Sequence, residues 1–136
     1  MEQQLIEKED RLFSLFNMKL EEASDDYSRI SMPVTDTMLN GVGIVHGGVL
    51  FTLADIAFSA AANYGGKRGT VTLSSHMSYL APGRRGPLTG QAKCIRSGKH
   101  IAVYDVEIHD ADNVLLAKGT FEGFHTGMDN IQPATK

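Results

Sequence analysis

Residues 35–66 read TDTMLNGVGIVHGGVLFTLADIAFSAAANYGG. The first part, 35–48, holds four of the fourteen glycines and reads as a loop. From Val49 to Tyr64 there is no Gly or Pro, and Leu and Ala dominate. That composition predicts a helix over 49–64, ended by Gly65 and Gly66. Within 49–63 only Thr52, Asp55, Ser59 and Asn63 are polar. At 100° per residue they span an arc of roughly 80°. A helix so apolar elsewhere must be covered on most sides. The stripe faces either solvent or a pocket or subunit interface. Two hydroxyls, an amide and one carboxylate, with no Lys, Glu or Arg, favour the pocket or interface. A lone positioned carboxylate is what a general base or nucleophile requires. Gly47 and Gly48 directly precede the predicted helix, whose first N–H groups are unpaired and partly positive. Glycine leaves those donors open to a developing oxyanion. Asp55 lies about two turns further on, too far to reach an oxygen held at its own helix start. An antiparallel helix from a second subunit can bring its Asp55 there.

Outward from the helix, the periodicity changes to two. TVTLSSHMSYL, residues 70–80, sets Val71, Leu73, Met77 and Tyr79 against Thr72, Ser74, His76 and Ser78. It ends at Ala81-Pro82-Gly83. Strand-like runs follow at 88–96, 100–109 and 114–125, separated by the turn residues Ser97-Gly98 and Asp110-Ala111-Asp112-Asn113. Before the loop, Met18 to Val34 reads as two strands around Ser24-Asp25-Asp26. Leu5, Leu12, Leu15 and Phe16 have near-helical spacing and predict a short amphipathic helix within 5–18. Short turns between the last strands imply antiparallel pairing. The expected fold is α+β: an antiparallel sheet of about six strands wrapped around one central helix. Free sheet edges and the excess apolar surface of the helix call for oligomerisation.

At 136 residues the chain suits one domain, 1–136, with a core at about 11–126 and a flexible tail at 127–136. No run approaches ~18 apolar residues, and the acidic start MEQQLIEKED lacks the layout of a signal peptide. One cysteine leaves no internal disulfide, so the expected address is cytoplasmic, with no membrane partner. The net charge of −3 argues against a nucleic-acid partner. Its distribution is uneven. Residues 67–100 hold seven of the thirteen Lys and Arg residues and no acid. A local positive field of that kind suits a phosphorylated small molecule.

The string NGVGIVHGGVLFTLADIAFSAAAN, residues 40–63, resembles the signature of the hotdog-fold thioesterases of the phenylacetate-degradation (PaaI) type. It follows N-G-x-x-x-x-H-G-G-x-x-F-x-L-A-D-x-A-F-x-x-A-x-N without a break. Tyr79-Leu80-Ala81-Pro82-Gly83 and Ser97-Gly98-Lys99 resemble later segments of the same family. The resemblance implies a curved antiparallel sheet around the long helix, edge-to-edge homodimers and homotetramers, and hydrolysis of acyl-coenzyme A with no metal or cofactor. It implies Asp55 as the catalytic carboxylate, facing Gly47 across the dimer interface. It implies that Gly47 polarises the carbonyl, that Asn40 and His46 line the site, and that Thr72 helps place water. Coenzyme A would be held by Arg84 or Arg85 and by Arg96, Ser97, Gly98, Lys99 and His100, with Gly48 and Tyr79 also at the substrate. Phe51, Phe58, Met77 and Tyr79 would suit aryl or medium-chain acyl groups.

Other chemistry has weaker support. His76, His100, His109 and His125 lack metal-ligand spacing. Cys94 has no Cys-x-x-Cys partner and reads as a small apolar residue. The glycine-rich loop lacks the G-K-[ST] of a nucleotide triphosphate site. Asp105 and Glu107 share one strand face and read as an exposed edge strand rather than a paired-carboxylate site. Two alternative functions are a non-catalytic acyl-CoA sensor and a hotdog hydratase or dehydratase. Retention of Asp55 argues against the first. The absence of an acid three to five residues after His46 argues against the second.

Overall fold

The computed structural model describes residue 7, residues 10–66 and residues 69–128. Leu5, Lys67, Arg68 and the tail beyond residue 128 therefore lie outside the described residues. The elements are α1 (Arg11–Leu15), β1 (Lys19–Ser24), β2 (Tyr27–Met32), α2 (Gly47–Ala62), β3 (Thr70–Tyr79), β4 (Leu88–Ser97), β5 (Ile101–His109) and β6 (Leu115–His125). The strands form one six-stranded antiparallel sheet in the order β1-β2-β4-β5-β6-β3. No described helix is long and apolar enough to cross a membrane.

Each element follows from local chemistry. The Asp10 carboxylate accepts the Phe13 N–H at 2.8 Å and caps α1, a contact worth about 1 kcal/mol. Asp26 adopts φ 65° in the two-residue turn between β1 and β2, a conformation Asp tolerates. In β5, Ala102, Tyr104, Val106 and Ile108 are buried, while Val103, Asp105 and Glu107 face outward, the period-two pattern of a one-sided sheet.

Helix α2 lies across the inner face and supplies nine buried residues, among them Leu53, Ile56 and Phe58. Phe58 packs edge-on to Tyr104 at 5.2 Å and stacks on Phe121 at 5.6 Å. The Ser28 hydroxyl donates to the Ala57 carbonyl at 2.6 Å, tying mid-helix to β2. Glycine permits the close approach: a Cβ on Gly90 would lie 2.9 Å from Leu53 Cγ.

Four readings need correction. The helix spans 47–62 rather than 49–64, so Gly47 and Gly48 open it instead of preceding it. Phe58 is fully buried and belongs to the core, not to a pocket wall. Asp105 and Glu107 sit on an interior strand; the sheet edges are β1 and β3. Their carboxylates pair with Lys118 Nζ at 2.9 and 2.7 Å on the outer face. Finally, the alternation in β3 is not strict. Thr72 pairs with Gly123 and Ser74 with Glu122, which leaves Leu73 as a bulge. The bulge puts Thr72 on the same face as Met77 and Tyr79.

Candidate active site

Asn40 builds the loop that enters α2. Its Oδ1 accepts the N–H groups of Val42 and Ile44, both at 3.0 Å. Gly43, at φ 80°, closes the turn with its N–H on the Asn40 carbonyl. The loop is anchored by His46 N–H to the Met38 carbonyl and Val45 N–H to the Gly83 carbonyl. His46 is the N-cap residue, and its side chain makes no capping bond. Val49 N–H bonds back to the His46 carbonyl at 3.0 Å. Gly47 and Gly48 therefore present the leading donors of the helix. They open beside a cleft of about 360 Å³ whose lining includes Asn40, Gly47, Leu50, Tyr79 and Pro82. A Cβ on Gly47 would touch the Tyr79 ring at 3.5 Å, so any larger side chain there fills the cleft.

Two turns along α2, Asp55 Oδ1 accepts the Thr72 hydroxyl at 2.7 Å. The rest of the polar stripe also bonds to protein. Thr52 donates to the Gly48 carbonyl, and Asn63 brackets Thr70, accepting its N–H at 2.6 Å and donating to its carbonyl at 2.9 Å. The stripe thus runs along β3, with the end near Thr70 beside the helix C-terminus and the end near Tyr79 beside Gly47. Because β3 is an edge, Asp55 and Thr72 lie at an open margin of the sheet. Val71, Leu73 and Tyr79 are exposed there.

One chain does not unite all the expected site residues. It joins Asn40, Gly47 and Tyr79 at one end of β3, and Asp55 with Thr72 toward the other. Eight helical steps separate Gly47 from Asp55, about 12 Å. The basic residues are divided in the same way. Arg84 and Arg85 line a second cleft, of about 480 Å³, with Asp110 and Asp112 from the β5–β6 turn. Arg96 and Ser97 end β4, and Gly98, Lys99 and His100 form the β4–β5 turn. The length of β4, about 30 Å, lies between the two groups.

Sequence reasoning passed over His125. It sits on the inner face of β6, with Nδ1 2.7 Å from Thr70 Oγ1 and Nε2 3.1 Å from Ser97 Oγ. A signal was available: Phe121, Gly123 and His125 share the inward parity of β6.

Comparisons with known proteins point to one family. The sequence profile of the thioesterase superfamily matches residues 42–117. The acyl-coenzyme A thioesterase PaaI of Escherichia coli is 41% identical over 85 residues, covering 62% of this chain and 60% of that protein. The structure of the E. coli PaaI protein, from the phenylacetic acid degradation operon, superposes with a TM-score of 0.89 at 29% identity, covering 93% of this chain and 91% of that one. A hypothetical thioesterase from Streptococcus pneumoniae, solved with coenzyme A, gives 0.81 at 32% identity, covering 87% and 93%.

Proposed function

From the premise that this chain belongs to the thioesterase superfamily and is a thioesterase of the hotdog fold, we propose that it hydrolyses aryl- or medium-chain acyl-coenzyme A at sites shared between two subunits. The observation that supports this most is the Thr72–Asp55 hydrogen bond on an open sheet edge. Ten residues of β3, several of them apolar and exposed, leave a row of backbone groups for a second copy to pair. An antiparallel pairing about the strand midpoint sets Thr72 against the Tyr79 end of the other β3. Asp55 then meets Gly47 of the partner subunit, across the gap that one helix cannot close. The same two-fold brings the Arg84–Arg85 cleft of one sheet to the same end of the paired sheets as the β4–β5 turn of the other. Coenzyme A is placed at that end, where basic residues of both subunits supply positive charge.

In this reading the Gly47 N–H, at a helix N-terminus, holds the carbonyl oxygen as it becomes an oxyanion. Asn40 has its Oδ1 committed to the loop, so its Nδ2 is the group left to face the substrate. Asp55 acts as nucleophile or as the base that activates water. Water adds across the acyl carbon, the C–S bond breaks, and the coenzyme A sulfur leaves with a proton. The residues supply this chemistry without metal or cofactor. The name of the E. coli relative supports acyl-coenzyme A as the substrate, and the operon of its structure favours a phenylacetyl-type acyl group.

The test is thiol release from phenylacetyl-, hydroxyphenylacetyl-, benzoyl-, hexanoyl- and lauroyl-CoA by wild type and Asp55→Ala. The expected result is turnover of an aryl or medium-chain ester and a loss of about a hundredfold or more in Asp55→Ala. Binding without thiol release would make the protein a sensor instead. Equal activity in the two proteins would remove Asp55 from the mechanism.

A further inference from the structure

We propose that His125 is a positioning residue that sets the β4–β5 turn for the phosphates of coenzyme A, an inference that rests on the placement of coenzyme A given above. His125 ends β6 and is 8% exposed. Its ring is held on both sides, by Thr70 Oγ1 at 2.7 Å and Ser97 Oγ at 3.1 Å. Its backbone N–H donates to the His100 carbonyl at 2.8 Å. The neighbouring Phe124 stacks on the His100 ring, with centroids 6.3 Å apart and planes 12° from parallel. Two consecutive residues of β6 therefore grip both arms of the turn, at Ser97 and at His100.

The grip is referenced to the catalytic edge. Thr70 is bracketed by Asn63, at the end of the helix that carries Asp55. Two residues along β3, Thr72 bonds Asp55 itself. One chain of hydrogen bonds thus fixes the turn relative to the helix and the edge strand. Arg96, at the end of β4, and Lys99, on the turn, are exposed and start from a fixed backbone position. A basic hairpin ordered in advance loses less conformational freedom when it binds phosphate. A neutral imidazole donates from one nitrogen and accepts at the other, and a hydroxyl can meet either role. No apolar side chain at residue 125 would hold Thr70 and Ser97 together.

The experiment uses His125→Ala, Ser97→Ala and Ser97→Thr, with the acyl-CoA that the panel ranks first. It measures kcat, KM, and the competitive Ki of phosphoadenosine phosphate, the nucleotide fragment of coenzyme A. Ser97→Ala is expected to raise KM and Ki together by about fivefold, the weight of one hydrogen bond, with kcat changed less than twofold. His125→Ala is expected to raise both by about tenfold or more, and Ser97→Thr to restore wild-type values. Because Ser97 is itself expected at the coenzyme A, Thr70→Val, which removes the other ring contact, decides the matter if His125→Ala does not fold: a raised Ki supports the proposal and an unmoved Ki overturns it. A fall in kcat with Ki unmoved would overturn the proposal, as would an active wild type that the nucleotide fragment does not inhibit. Wild type inert toward every acyl-CoA would remove the coenzyme A reading and this inference with it.

Discussion

Thr72 and Asp55 show how little of a site one residue carries alone. The carboxylate is placed by helix phase, but its orientation comes from a hydroxyl seventeen residues later. Thr72→Ala is expected to lower kcat about tenfold to a hundredfold, the weight of one hydrogen bond to a charged group, while the fold stays intact. Thr72→Ser is expected to restore it. Steady-state kinetics beside thermal melts checks this, and an unchanged kcat in Thr72→Ala would show that Asp55 needs no such partner. Local spacing singled out Asp55 and Gly47 as site candidates, because both lie within one short segment whose periodicity is local. Asn40 and Thr72 entered only through family resemblance, and strict alternation would have turned Thr72 away from Met77 and Tyr79. The bulge at Leu73 reverses that parity, and nothing in residues 70–80 marks a bulge apart from its pairing with β6.

At the scale of elements, β3 depends on β6 for its position. A Cβ on Gly119 would lie 2.2 Å from the His76 carbonyl oxygen, so the strands must part to admit one. Gly119→Ala is therefore expected to destabilise by about 2–3 kcal/mol and to reduce activity, because β3 carries Thr72. A melting temperature equal to wild type would contradict it. Across β5 and β6, Lys118 bonds Glu107 and Asp105, and these bonds hold its pKa above the usual lysine value of 10.5. The protonated form is favoured by folding, so its stabilisation is present at neutral pH and is lost as pH rises beyond the ordinary lysine range. Its side chain is 44% exposed, so the effect is screened to under about 1 kcal/mol. Urea midpoints of wild type and Lys118→Met should differ at pH 8 and converge as pH rises beyond the ordinary lysine range. Strand boundaries along this half of the chain were legible because turn residues punctuate them. Strand order was not, which is why Asp105 and Glu107 read as an edge and proved interior.

At the scale of the whole molecule, the proposed site is assembled from half-sites on two subunits. Light scattering on active protein is expected to show a homotetramer of two dimers, with a dimer the minimum competent unit. An active monomer would end the shared-site reading. The sequence by itself determined the helix, its polar stripe, the strands and the family, since these rest on local composition and on spacing within tens of residues. Only the tertiary structure decided that β3 lies at the edge beyond β6, that a bulge turns Thr72 toward Asp55, and that the two basic groups sit about 30 Å apart along β4. The reason is physical. Helical and strand periods are fixed within a segment, whereas strand order and register depend on which distant faces bury one another.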